Sequence, residues 1–412
     1  MSVVRPFRGV RPVKEKVHLV ASRPYDVLSS SEARAEAKGN PFSFLHVVKP
    51  EIDFPDSVDV YDDVVYQKGR ENLYKMMEDG VLLRDKKPCF YLYRLVWKDV
   101  SQIGIVATTS VEDYENNVIK KHEKTRQEKE ADRVKHVATQ NANAGPIFLT
   151  YRQSKKIDKI TKQQIQKEPL YDFNCGDGVQ HTLWLIDKQA TIKSISTIFA
   201  DIPCLYVADG HHRSASAAIV GARKREANPN HTGKENYNYF LSVLFPNSQL
   251  FIMDYNRIVK DLNNLKKSDF LERLSDDFSI EKLDEQKAPK GVHCFSMYLG
   301  GAWYSLVAKQ KIIAQKDSVN CLDTSILQER VLDKLLGIKD PTKDERLDFV
   351  GGIRGLEELS KRVDAGEAVA FALFPTSIQQ LMAIADENKI MPPKSTWFEP
   401  KLRSGIIVNL LD

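Results

Sequence analysis

The residues best suited to chemistry form one short run, Asp209-Gly210-His211-His212-Arg213, called here the 209–213 turn. An apolar segment, Cys204 to Ala208, precedes it, and a stretch of small residues begins at Ser214. This pattern predicts a buried strand that ends at Asp209 and a helix that begins at His211. A helix start presents free main-chain N–H groups and about half a positive charge. The turn is therefore suited to an anion, most simply a phosphate.

The five residues of the turn can be given different roles. Gly210 lets a ligand approach the main chain closely, while His212 and Arg213 supply hydrogen-bond donors for a phosphate. Asp209 is the one acid, which is unfavourable beside a phosphate unless it meets a metal ion, a ligand hydroxyl or a histidine. We therefore assign Asp209 and His211 to catalysis, with Asp209 also as a ligand for Mg²⁺. The structural alternative is that Asp209 only caps the helix, while the histidines and Arg213 are ordinary polar residues of its first turn, although a cap requires just one residue.

A second group of chemically competent side chains lies in the most charged stretch, from Lys120 to Arg133. Positions 122, 126, 130 and 133 would share one face of a helix. We assign His122 and Arg126 on that face to binding of the phosphate or nucleotide. Glu123 could take a proton from a hydroxyl nucleophile if the fold brings it to the 209–213 turn. The alternative is a solvated helix held by ion pairs, as most charge runs are.

A third group lies in the proline-rich segment from Met391 to Lys401, which the prolines keep open as a loop. Two lysines and a Ser-Thr pair make it a candidate clamp for substrate or phosphate, and we assign Lys394, Ser395 and Thr396 to that role. The alternative is a rigid surface loop around Trp397. The turn at Pro24-Tyr25-Asp26 is a weaker candidate, because such a turn is commonly only a turn.

Composition excludes several classes of protein. The 412 residues include 60 basic and 56 acidic side chains, for a net charge of +4, so no concentrated positive field for DNA is present. The five cysteines are widely separated and predict reduced thiols rather than a zinc site. Neither a signal peptide nor a membrane span is evident at the N-terminus, so we predict a cytoplasmic protein. Walker, Gly-x-Gly-x-x-Gly, Gly-x-Ser-x-Gly and His-Glu-x-x-His motifs are absent.

Helical and strand patterns alternate along the chain and predict an α+β fold in three regions. Residues 1–110 form an N-terminal αβ region that contains a hairpin from Cys89 to Thr109. Residues 111–252 form a nucleotide- or phosphate-binding core around the 209–213 turn. Residues 253–412 form a C-terminal αβ domain, which contains a second hairpin, Cys294 to Val307, and contributes a lid or substrate loop.

The order of Gly145-Pro146-Ile147-Phe148-Leu149, then Tyr206 to Arg213, then an alanine-rich helix resembles the ParB/sulfiredoxin-like nucleotide-binding fold. Within that group the free L-serine kinases carry an Asp-Gly-His-x-Arg turn similar to 209–213. Those kinases also carry an upstream His-Glu pair, and its glutamate acts as the base on the serine hydroxyl. His122-Glu123 resembles that pair, so Glu123 is the matching position here. Over nearly its whole length the chain resembles a widespread prokaryotic family of unknown function. Four segments carry this resemblance: Pro24 to Val27, His122 to Arg126, the 209–213 turn, and Met391 to Phe398.

This resemblance implies a nucleotide-dependent phosphotransferase that acts on a small hydroxylated metabolite such as free serine, with ATP or ADP, or CTP, and Mg²⁺. The alternative is a ParB-like nucleotide-binding switch, or partner-binding protein, without small-molecule transfer. A DNA-binding partition factor ranks last because the charge is balanced and no basic recognition helix is evident. We expect a nucleotide and a small molecule as ligands and no membrane, and a homo-oligomer is compatible with the sequence.

Overall fold

The computed structural model describes residues 2–412, which fold into two compact units. Unit 1 contains the chain up to Lys121, Thr125–Leu250 and Pro400–Asp412. Unit 2 contains His122–Lys124 and Phe251–Glu399. Helices and sheets occur in both units, so the fold is α+β.

Unit 1 is built on one large sheet. The strands of unit 1 up to residue 250 are β1 (Val4–Arg5), β2 (Val10–Pro12), β3 (Leu82–Arg84), β4 (Phe90–Trp97), β5 (Val100–Ser110), β6 (Ile119–Lys120), β7 (Ala142–Asn143), β8 (Ile147–Tyr151), β9 (Tyr171–Cys175), β10 (Val179–Ile186), β11 (Leu205–Asp209) and β12 (Tyr239–Pro246). All belong to the large sheet except β2 and β3, which pair with each other, and β7. The helices of unit 1 are α1 (Val17–Val20), α2 (Ser30–Ala37), α3 (Leu45–Val48), α4 (Asp63–Glu78), α5 (Val111–Glu115), α6 (Gln127–Gln140), α7 (Lys155–Gln164), α8 (Gln189–Ala200) and α9 (His211–Ala227).

The large sheet has the order β6-β11-β8-β12-β5-β4-β10-β9, with β1 paired to β5. Strand β11 runs antiparallel to β8 and parallel to β6, and β12 runs parallel to β8. The predicted hairpin is confirmed as β4 and β5, which pair in antiparallel register. Strands from both sides of residue 110 therefore share one sheet, although the sequence led us to separate two regions at that position.

The strands of unit 2 are β13 (Phe251–Met253), β14 (Tyr255–Val259), β15 (Phe278–Leu283), β16 (Cys294–Leu299), β17 (Ala302–Ala308), β18 (Leu347–Gly351), β19 (Val369–Leu373) and β20 (Trp397–Glu399). Six of them form a sheet with the order β15-β17-β16-β19-β14-β18, and β13 pairs separately with β20. The helices of unit 2 are α10 (Lys267–Ser275), α11 (Asp323–Leu327), α12 (Gly355–Asp364) and α13 (Ile378–Asp386). The second predicted hairpin is confirmed as β16 and β17. The last strand of the chain, β21 (Asn409–Leu410), returns to unit 1 and pairs with β7.

One local prediction is wrong. The charged stretch is not helical at His122, because α6 begins only at Gln127, with Arg126 in extended conformation as its N-cap. Residues 122 and 126 therefore do not share a helical face with 130 and 133. Among residues 2–412, the helices are all too short or too polar to pass through a lipid bilayer.

Candidate functional site

The 209–213 turn has the predicted local structure. Strand β11 ends at Asp209, and α9 begins at His211 after Gly210, whose φ of +102° is in the left-handed region. Within residues 2–412 no side chain caps this helix, so Asp209 does not have the capping role that the structural alternative gave it. The first N–H groups of α9 are therefore without a side-chain cap.

Arg213 folds back over the glycine. A methyl group added at Gly210 would lie 3.1 Å from the Arg213 Nε atom. One terminal nitrogen of Arg213 donates to the Pro146 carbonyl, and the other lies 3.7 Å from carboxylate oxygens of both Asp26 and Asp209. The Nε atom has no hydrogen-bond partner among residues 2–412. Arg213 therefore keeps donor capacity that an anion could use.

Lys401 is the closest cation to Asp209. Its Nζ donates to the Asp209 carboxylate at 3.0 Å, with both side chains largely buried. Burial alone would raise the pKa of Asp209, but the charges of Lys401 and Arg213 outweigh it and hold that pKa well below its usual range. Asp209 is therefore ionised at neutral pH.

These contacts decide how well the turn fits Mg²⁺. Magnesium binds carboxylates, phosphates and water in octahedral geometry. Within unit 1 both oxygens of Asp209 face cations, Lys401 on one side and Arg213 on the other. The unit 1 residues of the turn therefore do not form a magnesium site by themselves.

The two histidines of the turn differ in environment. His211 is buried, at 6% exposure, and His212 is half-buried. The His212 Nε2 atom accepts a hydrogen bond of 3.1 Å from the main-chain N–H of Arg126. Arg126 therefore contacts the turn through its main chain, and the Arg126 side chain is exposed.

Two residues that the sequence did not assign to the site, Lys401 and Asp26, contact residues of the 209–213 turn. Lys401 closes the proline-rich segment in which we had assigned Lys394, and Asp26 follows the Pro-Tyr turn that we had ranked as weak. Tyr25 packs its ring on the Arg133 guanidinium, 3.9 Å from Cζ to the ring centre, and burial raises the pKa of Tyr25 to about 12. Tyr25, Arg133 and Arg213 line a cavity of about 50 Å³. These contacts join residues that are far apart in the sequence, so no local sequence pattern predicts them.

The remaining predicted site residues lie in unit 2. The His122 carbonyl accepts a hydrogen bond of 2.8 Å from the Met391 N–H, so His122 lies against the first residue of the proline-rich segment. Glu123 is half-buried. Lys394 places its Nζ 5.6 Å from the centre of the Tyr255 ring.

The two hydroxyl residues assigned with Lys394 differ in exposure. Ser395 is buried, and its Oγ donates to the Pro392 carbonyl at 2.6 Å and lies 3.1 Å from the Thr324 hydroxyl. Thr396 is half-buried. The contacts of Ser395 hold the loop in shape.

Comparison with known proteins gives one family and several solved structures. The chain is similar to free serine kinase in complex with AMP (12% identity, 77% of this chain and 94% of that chain, TM-score 0.39). It is also similar to a conserved hypothetical protein from Pyrococcus furiosus (14%, 74% and 95%, TM-score 0.36) and to C-terminally truncated SbnI from Staphylococcus aureus (12%, 74% and 87%, TM-score 0.40). No curated protein matches. The family model described as "Protein of unknown function (DUF1015)" matches residues 4–325, and the chain belongs to that family.

Proposed function

We propose that this protein is a nucleotide-dependent phosphotransferase whose acceptor is a small hydroxylated metabolite, for example free serine, and whose donor is ATP, ADP or CTP. The observation that carries the proposal is the 209–213 turn, an uncapped helix start with Arg213 folded over its glycine. A transferring phosphoryl group needs little from a protein beyond positioning and neutralisation of charge. The turn and its two cations, Arg213 and Lys401, supply both.

In this proposal the main-chain N–H groups after Gly210 and the Arg213 fork hold the transferring phosphate. Lys401 moves between two negative groups, Asp209 in the free protein and a phosphate oxygen in the complex. Asp209 then accepts a hydrogen bond from a ligand hydroxyl. Its lowered pKa keeps it an acceptor across the neutral range.

The chemical step needs a base. Glu123 takes the proton from the acceptor hydroxyl, the oxygen attacks the terminal phosphorus, and the bond to the bridging oxygen breaks to release the shortened nucleotide. His211 and His212 orient the phosphate oxygens, and Lys394 with Thr396 contacts the acceptor. No step is routed through Mg²⁺, because the unit 1 residues of the turn do not form its site alone.

The test begins with thermal denaturation of the full chain in ATP, ADP, CTP or pyrophosphate, each with and without Mg²⁺. Stabilisation by at least one nucleotide is expected, since a ligand that binds only the folded state raises its stability. Transfer of phosphate to amino acids and sugars is then measured with the stabilising nucleotide. If none of the nucleotides stabilises the protein, the proposal is wrong.

Glu123→Gln separates the base from the binding site. Turnover should fall by about 100-fold or more, the usual contribution of a general base, while nucleotide stabilisation is kept. Glu128→Gln is the matched control, because Glu128 is an exposed glutamate of α6 to which no role is given. Full activity of Glu123→Gln would remove Glu123 from the mechanism. Nucleotide-dependent self-association with hydrolysis but no transfer would favour the switch instead.

A further inference from the structure

Unit 2 contains a buried cation without a negative partner. Arg257 lies in β14 with 4% exposure. It donates to the main-chain carbonyls of Tyr255 and Pro393, and no carboxylate of residues 2–412 forms an ion pair with it. Burial lowers the pKa of Arg257 to about 10. A charge removed from water in this way is unfavourable unless a counter-charge meets it.

The acid nearest to Arg257 in the sequence does not supply that charge. Asp254 accepts a hydrogen bond from the Asn256 side-chain amide, and burial raises the pKa of Asp254 above its usual value. A carboxylate that faced a guanidinium would show the opposite shift. The counter-charge for Arg257 must therefore come from a ligand or be missing.

Aromatic rings and a second cation surround this guanidinium. The Arg257 Cζ lies 4.7 Å from the centre of the Phe349 ring and 5.9 Å from that of Tyr255. The Lys394 Nζ lies 5.6 Å from the same Tyr255 ring, and Trp397 meets that ring edge-on at 5.1 Å. These four neighbours are half-buried, so the cluster reaches the surface of the chain.

The backbone of Lys394 gives a second indication that the loop is held in place for a purpose. Its φ of +56° is in the left-handed region, which a residue other than glycine seldom adopts. Such strain persists where surrounding contacts fix it, and it concentrates at ligand sites. Here the neighbouring Pro393 carbonyl is fixed by its hydrogen bond from Arg257 at 3.2 Å.

We propose that this Arg257 cluster, formed by Tyr255, Arg257, Phe349, Lys394 and Trp397, binds the oxyanion group of a small metabolite, a carboxylate or a phosphate. Arg257 supplies a planar fork that matches two oxygens, and Lys394 supplies a second positive charge. The cluster shares Lys394 with the acceptor contact of the proposed transfer reaction. It goes beyond that reaction because Arg257 and its aromatic neighbours have no part in it and because binding of the oxyanion does not require the 209–213 turn.

Trp397 provides a local signal for the test. Inorganic phosphate and malonate are titrated separately into the full chain at constant ionic strength, and tryptophan fluorescence is followed. A saturable change with phosphate alone identifies a phosphate site, and one with malonate alone a carboxylate site. A change with both supports the shared oxyanion chemistry. No saturable change with either probe overturns the proposal.

Matched variants assign the signal. Arg257→Met should weaken binding by about tenfold or more, because a charged hydrogen-bond donor is lost. Arg273→Met, on the exposed surface of α10, should bind as the native chain does, and Trp397→Phe should abolish the fluorescence change. Unweakened binding by Arg257→Met overturns the proposal. If that variant does not fold, Lys394→Gln decides, with several-fold weaker binding expected and unchanged binding contradicting the site.

The same titration distinguishes this site from the 209–213 turn. Arg213→Gln should keep the Trp397 response to phosphate or malonate even if it loses nucleotide stabilisation. Loss of the Trp397 response in Arg213→Gln with its fold retained would contradict a separate site in unit 2.

Discussion

Removal of the Lys401 charge should destabilise unit 1 and do so in a pH-dependent way. At the 3.0 Å separation from Asp209, two unit charges attract by about 5.5 kcal/mol at an effective dielectric constant near 20. Desolvation offsets most of this attraction, and hydrogen bonds to charged groups contribute about 1.5–3 kcal/mol in practice. We therefore expect Lys401→Met to lower the free energy of unfolding by about 2 kcal/mol at pH 7.

A double-mutant cycle isolates the interaction. Urea unfolding is measured for the native chain, Lys401→Met, Asp209→Asn and the double variant, with circular dichroism as the signal. Because the pKa of folded Asp209 is lowered, its contribution is complete above the unfolded value of about 3.9 and is lost as the pH falls through the folded value. The free energy of unfolding of the native chain should therefore fall below about pH 4, where the unfolded state takes up a proton that folded Asp209 does not, and this fall should be smaller in Asp209→Asn.

The exposed pair of Glu387 and Lys389, 2.8 Å apart, is the matched control and should show no measurable coupling. A coupling energy between Lys401 and Asp209 below about 0.5 kcal/mol at pH 7 would refute the reasoning, since that is the range of exposed pairs. So would a fall in unfolding free energy below about pH 4 that is as steep in Asp209→Asn as in the native chain.

Two further predictions concern unit 1. Gly210→Ala should cost about 1–3 kcal/mol of unfolding free energy because of its left-handed φ, and should weaken nucleotide stabilisation because the added methyl displaces Arg213. Gly176→Ala has open space and should be neutral in the same urea and thermal assays. Burial and the Arg403 charge lower the pKa of His181 to about 3, so the native chain should lose stability as the pH falls from about 6.5, by up to about 1.4 kcal/mol per pH unit. That slope should flatten in His181→Gln, and an unchanged slope would assign it to other groups.

Local patterns made part of the site predictable. The apolar run before Asp209 and the small residues after Arg213 specify a strand and a helix with a glycine between them, and β11 and α9 have those limits. The helical spacing of the charged residues gave a wrong prediction at His122, which is not helical. Four charges at helical spacing do not show where a helix begins, and α6 starts only after Arg126.

Long-range pairing made the rest unpredictable. Lys401 lies 192 residues from Asp209, and nothing in the proline-rich segment distinguishes it from Lys394. Asp26 acquires its role only through contact with Arg213. Arg257 sits within a strand pattern, where an arginine gives no sign that it will be buried without an acid.

Calorimetric titration of pyrophosphate and of the stabilising nucleotide into the native chain and Arg213→Gln tests the central claim most directly. If the 209–213 turn holds a phosphate through Arg213, the variant should bind about tenfold or more weakly, since one charged fork is worth at least about 1.4 kcal/mol. Arg223→Gln, which alters an exposed arginine on the same helix, should bind as the native chain does. Equal affinity of the native chain and Arg213→Gln for both ligands would contradict the account.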